Sequence, residues 1–263
     1  MVCPVVIFCG GRGTRMNQVT TEIPKPLVEI NGVPLISHVM DTFMRHGFNE
    51  FILCLGYKAN KIKDYFLHEV YYKNDITLDG DDIVQIHHKD RGSRTITMVD
   101  TGLDVMTGAR LNAVRKYISS DHFFATYGDG IADIDLHRLY SFHTAHGRIG
   151  TVSGVQPFSQ YGHIEHQGSI VRQFTEKPKL DHRINGGFFL FKQDIFKYLS
   201  DDADCVLERE PLENLASDGE LMMYEHNGFW KSVDTQKDQQ DLELMLRQHN
   251  SKGAVSFEHL NVL

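Results

Sequence analysis

The stretch Phe8-Cys9-Gly10-Gly11-Arg12-Gly13-Thr14-Arg15 decides how the rest of this sequence is interpreted. It completes a short apolar run over 5–9, which is typical of a buried strand. Three glycines then leave backbone amides uncovered, and two arginines stand among them. Bare amides and fixed cations can approach phosphate oxygens closely, so the loop is suited to a polyanion. The spacing fits neither the GxxxxGKS/T phosphate loop nor the GxGxxG dinucleotide fingerprint.

A lysine between two prolines follows this loop at Pro24-Lys25-Pro26. Each proline fixes its own φ and pushes the residue before it toward an extended conformation. Lys25 is therefore expected on a stiff, non-helical segment. It could be an exposed lysine on a rigid connector, or a cation held toward the phosphates of the glycine loop. The short distance along the chain favours the second interpretation.

The composition argues against several classes of protein. The chain has 263 residues, of which 41% are hydrophobic, so it can bury a large core. A formal charge of −8 argues against nonspecific binding to nucleic acid or to a membrane surface. Four cysteines without a CxxC pair, and 15 scattered histidines, predict reduced thiols and ordinary histidines. We find neither a signal peptide nor an apolar run of ~20 residues, which predicts a cytoplasmic protein.

Helical and strand patterns alternate in the first part of the chain. Apolar residues recur at helical spacing over 35–44 and 58–72, and a buried strand is predicted between them at 51–55. Such a βαβα beginning predicts parallel strands with helices on both faces. The predicted fold class is therefore α/β, with a Rossmann-like, mixed and mostly parallel sheet.

Residues 74–108 interrupt this alternation as an irregular excursion. Its acidic first part, 74–82, is expected to be a loop, before two stretches that alternate like strands. Thr107-Gly108 then opens a helix that is expected to end near Tyr117. Thr107 could cap this helix through its hydroxyl group, or it could contact a base or a phosphate, and the spacing leaves both open.

A glycine-flanked carboxylate, Gly128-Asp129-Gly130, follows the strand predicted over 123–127. Open α/β sheets bind their ligands at the carboxyl ends of their strands. Asp129 is therefore well placed to hold Mg²⁺, although an aspartate in a turn before the helix at 136–146 is the plainer interpretation.

The second half of the chain is richer in strand patterns. Glu176-Lys177-Pro178 again places a lysine before a proline, and Asn185-Gly186-Gly187 opens an apolar strand over 188–191. These positions suit a polyhydroxy ligand, but they could also be turns. A closing helix is predicted over 237–248, after Asp234.

Together these motifs resemble the GGxGTR…PKP signature of the nucleotidyltransferases that make nucleoside-diphosphate sugars. The later motifs, ending with Asp234, stand in the expected order, and the resemblance covers residues 3–248. It implies one domain over 1–263. The nucleotide-binding half, at 1–147, includes the excursion. The acceptor-binding half, at 148–249, has a β-rich sugar-binding wall, and a C-terminal tail follows at 250–263.

Within this family the chain is most similar to the glucose-1-phosphate cytidylyltransferases, at 99–102, 106–111, 126–130 and 228–230. The resemblance implies CTP as donor, a sugar 1-phosphate as acceptor, Mg²⁺ as cofactor and a homo-oligomer. It implies a place in nucleotide-sugar biosynthesis for lipopolysaccharide or capsule polysaccharide. Another phosphorylated sugar or polyol, another nucleoside triphosphate, and a non-catalytic sugar-nucleotide-binding subunit are the alternatives.

The resemblance also implies roles for single residues. The catalytic residues are expected to be Arg15, Lys25, Asp129, Lys177 and Asp234, with Mg²⁺ held jointly by Asp129 and Asp234. The nucleotide is expected to contact Phe8, Cys9, Gly10, Gly11, Arg12, Gly13, Thr14, Thr107, Arg110 and Gly128. The sugar phosphate is expected to contact Tyr127, Glu176, Lys177, Asn185 and Gly186. Arg12 departs from the family, which often has a neutral residue there, and its role is left open between triphosphate affinity and a solvent-facing position.

Overall fold

The structure is a computed structural model that describes residues 3–16, 20–79, 82–87, 94–159 and 161–250. The predicted C-terminal tail lies outside the described residues from 251 onward, and so do parts of the excursion at 74–108. Among the described residues, no helix is both long and apolar enough to span a bilayer.

Strands and helices succeed one another along the described part of the chain. The strands are β1 (Val5–Phe8), β2 (Glu29–Ile30), β3 (Val33–Pro34), β4 (Glu50–Leu55), β5 (Asp75–Asp79), β6 (Asp82–His87), β7 (Thr95–Asp100), β8 (His122–Tyr127), β9 (Gly130–Ala132), β10 (Gly150–Val155), β11 (His163–Gln167), β12 (Ile170–Thr175), β13 (Ile184–Lys192), β14 (Leu221–His226) and β15 (Trp230–Ser232). The α-helices are α1 (Leu35–Met44), α2 (Ala59–Lys73), α3 (Thr107–Ala113), α4 (Leu136–His146), α5 (Glu210–Ser217) and α6 (Gln236–Asn250).

A seven-stranded sheet in the order β14-β10-β13-β8-β1-β4-β7 forms the centre of the molecule. Strand β1 runs parallel to β4 and to β8, and β4 runs parallel to β7. Strand β13 is antiparallel to both of its neighbours, β8 and β10, which makes the sheet mixed. The predicted fold class is therefore confirmed, and the two halves that meet at residue 147 contribute strands to the same sheet.

The alternation of side chains along β1 places core residues on both faces of this sheet. Val5 and Ile7 join a buried cluster that includes residues of α1, α2 and α4. Val6 and Phe8 join a second cluster that includes residues of α3 and α5. Because both faces are covered, β1 is buried throughout, as its unbroken apolar run predicts.

Several parts of the chain differ from the sequence prediction. The stretch expected as a loop at 74–82 contains β5, which pairs antiparallel with β6, because its isoleucine and leucine alternate with polar residues as in a strand. Asn185-Gly186-Gly187 lies inside β13 and does not precede it. The helix that begins at Thr107 ends at Ala113, and a 3-10 turn over Arg115–Tyr117 follows it.

A small two-stranded sheet outside the central one brings the late part of the chain to the glycine loop. Strand β15 pairs antiparallel with β9, with Ser232 opposite Gly130. The helix α6 that follows is anchored by Leu242, which is buried with Ile30, Leu35 and Ile131 in a third apolar cluster. This packing fixes the residues between β15 and α6 beside the carboxyl end of β8.

Candidate active site

A pocket of about 220 Å³ opens where the chain leaves the carboxyl ends of β1 and β8. The two strands are parallel neighbours with Phe8 in register with Tyr127, so their following loops emerge side by side. The amide of Gly128 donates to the carbonyl oxygen of Phe8 at 3.2 Å. The pocket is lined by Phe8, Cys9, Gly11, Gly13, Thr14, Arg15, Lys25, Pro26, Gly128, Asp129 and Asp234.

Gly13 is needed for the close packing of the loop against the lysine segment. Its φ is +63°, and a Cβ atom there would come within 2.9 Å of the Thr20 methyl group and 3.2 Å of the Lys25 Cβ. Its carbonyl oxygen accepts hydrogen bonds from the Met16 amide and the Thr20 hydroxyl group. The glycine loop therefore folds directly onto Lys25.

Lys25 lines the pocket and is 9% exposed. Its ammonium group donates to Oδ2 of Asp129 at 2.7 Å and to Oδ1 of Asp234 at 2.8 Å. Pro24 is extended, but Lys25 begins a 3-10 turn, Lys25–Leu27, so the non-helical segment expected at Lys25 is wrong. The turn is closed by the amides of Leu27 and Val28, which donate to the carbonyl oxygens of Pro24 and Lys25. The structure favours the interpretation of a lysine held in the glycine-loop site over that of an exposed connector.

The pairing of β9 with β15 explains how two distant aspartates meet at this lysine. Asp129 precedes β9 and Asp234 follows β15, so each stands at the same end of the small sheet. The amide of Val233 donates to the carbonyl oxygen of Asp129 at 3.0 Å, which fixes their spacing. Two carboxylates far apart in the sequence thus converge on one ammonium group.

Asp234 is held in its ionised form by its neighbours. Burial raises its pKa, but hydrogen bonding and attraction to Lys25 outweigh burial, with help from Arg15, so that the pKa lies below its ordinary value. Arg15 Nη1 lies 3.1 Å from Oδ2 of Asp234, and the Ser232 hydroxyl group donates to the same oxygen. Arg15 remains largely exposed and borders the pocket opening.

The carboxylate oxygens of Asp129 and Asp234 are ligand atoms that suit a hard divalent cation. Mg²⁺ is usually bound by one or two carboxylates together with water and substrate phosphates. The nearest oxygens of Asp129 and Asp234 both lie within 2.8 Å of the same nitrogen atom, so the two carboxylates face one point. Within the part of the chain that is described, no group of three or more His, Cys, Asp or Glu side chains could hold a metal. The pair therefore fits a cation whose other ligands come from substrate and water.

Comparisons with known proteins show the family of this chain. A model of the nucleotidyl transferase family matches residues 4–249. The chain belongs to this family. A probable glucose-1-phosphate cytidylyltransferase of Bacillus subtilis is 42% identical over 245 residues, which cover 92% of this chain and 96% of the relative. The glucose-1-phosphate cytidylyltransferase of Salmonella typhi is 42% identical over 241 residues, covering 90% and 93%. The family resemblance stated from the motifs is thereby confirmed.

Solved structures support the fold of this nucleotidyl transferase. The structure of HddC from Yersinia pseudotuberculosis is similar with a TM-score of 0.68, covering 93% of this chain and all of that one. Its sequence identity is 22%, so the likeness concerns the fold alone.

Several residues that were predicted to bind the nucleotide lie away from the pocket lining of this nucleotidyl transferase. Arg110 is 4% exposed, and its guanidinium group donates to carbonyl oxygens of Gly10, Leu55, Gly102 and Leu103 and to the Thr101 hydroxyl group. It lies beneath the loop, where a Cβ on Gly10 would come within 2.1 Å of it. A nucleotide contact by Arg110 or Gly10 stays a prediction.

Arg12, whose role the sequence left open, pairs with a distant acidic residue. Its guanidinium group lies 2.7 Å from Oδ1 of Asp104 and 5.9 Å from the ring centroid of Tyr57. Both members of the ion pair are at least half exposed, so the pair contributes little to stability. Arg12 thus links the glycine loop to the turn that precedes α3.

The residues predicted to hold the sugar phosphate do not line the pocket either. Lys177 and Glu176 are exposed after β12. Lys177 has a positive φ of 47°, so the extended conformation that a residue before proline favours is wrong here. Gly186 is buried, and its carbonyl oxygen accepts from the Trp230 indole at 2.7 Å. Asn185 is exposed in β13 and donates to the Tyr127 hydroxyl group at 3.4 Å. Their contact with an acceptor stays a prediction.

Sequence reasoning missed two polar residues at this end of the sheet. Glu208 accepts hydrogen bonds from the hydroxyl groups of Thr107 and Tyr127, and Ser232 supports Asp234. Thr107 is the first residue of α3 and does not cap it; its hydroxyl group donates a hydrogen bond to Glu208 instead. The stretch around Glu208 carries no motif, and only its pairing across about a hundred residues reveals it.

Proposed function

We propose that this nucleotidyl transferase moves a cytidylyl group from CTP to α-D-glucose 1-phosphate, releasing CDP-glucose and pyrophosphate. The observation that carries the choice of substrates is the 42% identity to glucose-1-phosphate cytidylyltransferases over at least nine tenths of both chains. The cluster of Lys25, Asp129 and Asp234 at the glycine loop supports the chemistry.

The reaction needs positioning and charge stabilisation more than proton transfer. A phosphate oxygen of the acceptor attacks the α-phosphorus of CTP, and the bond from that phosphorus to the pyrophosphate oxygen breaks. The attacking oxygen is already ionised at neutral pH, so no general base is required. Two polyanions must instead be brought together in line, which fixed cations and backbone amides favour.

The glycine loop and its cations are assigned to the nucleotide. Residues 11–13 are exposed or border the pocket, so their backbone amides can donate to phosphate oxygens. Gly10, which the family resemblance also assigns to the nucleotide, is buried outside the lining. Arg15, which lines the pocket and is largely exposed, is assigned to neutralise the departing pyrophosphate. Lys25 is assigned to bridge the donor and acceptor phosphates, since its ammonium group is the most deeply held cation of the pocket lining.

Charge balance supports a divalent cation. In the pocket, the cations of Lys25 and Arg15 are matched by the anions of Asp129 and Asp234, so these four groups bring no net positive charge. Asp129 and Asp234 would hold Mg²⁺ on their facing oxygens, and the ion would supply the charge that polarises the α-phosphate. Lys25 would then turn its ammonium group from the carboxylates to the substrate phosphates.

The acceptor is assigned to the exposed residues beyond the pocket. We assign Lys177 to bind the acceptor phosphate, and Glu176, Asn185 and Gly186, together with Tyr127, to face the sugar hydroxyl groups. The support is the order of their motifs and, for Asn185 and Gly186, their position on β13, which pairs with the carboxyl-terminal part of β8. The homo-oligomer implied by the family resemblance is likewise a proposal, which light scattering on the purified chain tests.

A matrix of substrates tests the proposed function. Each of the four nucleoside triphosphates is combined with several sugar 1-phosphates and one phosphorylated polyol, with Mg²⁺, and pyrophosphate release is measured. We expect CTP with glucose 1-phosphate to give the highest kcat/KM. A maximum at another pair would reassign the substrates, and absence of release with every pair would favour a non-catalytic sugar-nucleotide-binding subunit.

A further inference from the structure

Glu208 lies where two predicted ligand-binding regions meet. Its Oε2 accepts a hydrogen bond from the Thr107 hydroxyl group at 2.6 Å, and its Oε1 accepts one from the Tyr127 hydroxyl group. The Thr107 oxygen in turn accepts from the amide of Leu207 at 3.0 Å. The carboxylate is thus anchored to α3 on one side and to the end of β8 on the other.

The hydrogen bond to Glu208 determines whether the Tyr127 hydroxyl group donates to or accepts from its second partner. A phenol has one proton, and Tyr127 donates it to Glu208, so its oxygen is left to accept. The side-chain amide of Asn185 donates to that oxygen at 3.4 Å. At its other end, Asn185 accepts from the amide of Gly187 at 2.8 Å. These two contacts fix which end of the Asn185 amide is nitrogen and which is oxygen.

The ring of Tyr127 is held in this position by packing. Its centroid lies 5.9 Å from that of Phe8 and 5.9 Å from that of Phe189. Gly187 has a φ of +79°, and a Cβ there would come within 2.6 Å of the Tyr127 ring. A side chain at position 187 would therefore clash with the ring. Because the ring is packed in this way, the hydroxyl group has little freedom to leave its two partners.

We propose that Glu208 is a positioning residue that acts through Tyr127 to hold the Asn185 amide with an N–H directed at a hydroxyl oxygen of the acceptor sugar. Asn185 is exposed, and its amide nitrogen has a second hydrogen beyond the one given to Tyr127. A carboxylate is required at 208 because both of its oxygens accept from hydroxyl groups, whereas a glutamine offers one acceptor and one donor end. This proposal rests on the proposed function, since it concerns the acceptor of that reaction.

The test measures Michaelis constants of Glu208→Gln, Tyr127→Phe and the double variant, together with wild type. We expect each single change to raise the KM for glucose 1-phosphate about ten-fold, the effect of one hydrogen bond to an uncharged group. We expect kcat and the KM for CTP to change less than about three-fold. Because both changes break the same chain of hydrogen bonds, the double variant should be no worse than the poorer single variant. Glu213→Gln, an exposed position on α5, is the matched control and should behave as wild type.

Several outcomes would overturn the proposal. Additive effects in the double variant, an equal rise of both Michaelis constants, or a Glu208→Gln enzyme that matches Glu213→Gln would each do so. If Glu208→Gln does not fold, judged by its thermal unfolding, Tyr127→Phe decides alone, and an unchanged acceptor KM there refutes the proposal. A wild-type protein that releases no pyrophosphate overturns the proposed function itself. An active wild type together with a Glu208→Gln variant whose Michaelis constants are unchanged overturns only the positioning role.

Discussion

The ammonium nitrogen of Lys25 lies 2.7 Å from Oδ2 of Asp129, although 104 positions separate the two residues. The same nitrogen lies 2.8 Å from Oδ1 of Asp234, which is 209 positions after Lys25 in the chain. One buried cation therefore joins the glycine-loop segment, the end of β8 and the turn before α6.

Removal of this cation should affect activity strongly. Lys25→Ala takes away a fixed positive charge at the phosphates and leaves two carboxylates facing each other, so kcat should fall by a factor on the order of 10² or more. The pKa of Asp234 should rise toward its ordinary value, because Lys25 is the main group that lowers it. Steady-state pyrophosphate release measures the rate, and activity within several-fold of wild type would remove Lys25 from the mechanism.

The proposed metal role of Asp129 can be separated from a structural one. Asp129→Asn keeps the size of the side chain but weakens its affinity for a hard cation, so turnover should nearly vanish while thermal unfolding stays close to that of wild type. Asp121→Asn is the control, because Asp121 is exposed at the opposite end of β8. Chelation of divalent ions should abolish wild-type activity, and Mg²⁺ should restore it. Near-normal turnover of Asp129→Asn with Mg²⁺ would contradict the assignment.

Lys177 offers a test of the acceptor side. Lys177→Ala should raise the KM for glucose 1-phosphate about ten-fold or more and the KM for CTP much less, since one charge-assisted contact to the acceptor phosphate is lost. Lys179→Ala, which changes an exposed lysine two residues away, serves as the control. Initial rates with each substrate varied separately measure both constants. A larger effect on CTP than on the sugar phosphate would reassign Lys177 to the nucleotide.

Gly10 and Gly11 provide a matched pair for the stability of the loop. A Cβ at Gly10 would come within 2.1 Å of the Arg110 guanidinium group, which is buried and bonded to several carbonyl oxygens, whereas a Cβ at Gly11 meets nothing within 4 Å. Gly10→Ala should therefore lower the free energy of unfolding by about 1–3 kcal/mol. Gly11→Ala should change it by less than about 1 kcal/mol. Urea unfolding measures both, and equal effects would refute the buried position of Arg110.

Stability should fall as the solution becomes acidic because of a buried histidine. Burial, together with the charges of His122, His146 and Lys192, lowers the pKa of His143 to about 3. The neutral form is preferred in the folded state, so below the unfolded pKa of 6.5 protons favour unfolding, and stability is lost progressively between pH 6.5 and 3. His143 alone should make the protein about 2 kcal/mol less stable at pH 5 than at pH 7.5.

A substitution checks this pH dependence. His143→Gln removes the titrating ring and should flatten the fall in unfolding free energy between pH 7.5 and pH 5, measured by urea titration at each pH. His163→Gln, on the exposed strand β11, should retain the wild-type slope. If both variants keep that slope, the pH dependence does not arise at His143.

The sequence predicted the parts of this protein that depend on local pattern. The unbroken apolar run of β1, the helical spacing at 35–44 and 136–146, and the glycine loop each carry their signal within a few residues. Strand β5 was missed, because acidic residues among its alternating isoleucine and leucine resemble a loop, whereas the strand pattern of its partner β6 was predicted. Helix α5 was also missed, since it is short and starts without a side-chain cap.

By itself, the sequence determined the α/β class, the family motifs and the identity of the charged residues that belong to them, because hydrophobic periodicity and turn chemistry are local. The tertiary structure alone decided which of these residues meet. Strands β9 and β15 join Asp129 to Asp234 at Lys25, Arg110 is drawn beneath the loop to satisfy buried carbonyl oxygens, and Glu208 joins Thr107 to Tyr127. Contacts of this kind depend on strand pairing and burial between residues that are 81 or more positions apart, and no local pattern in the chain predicts them.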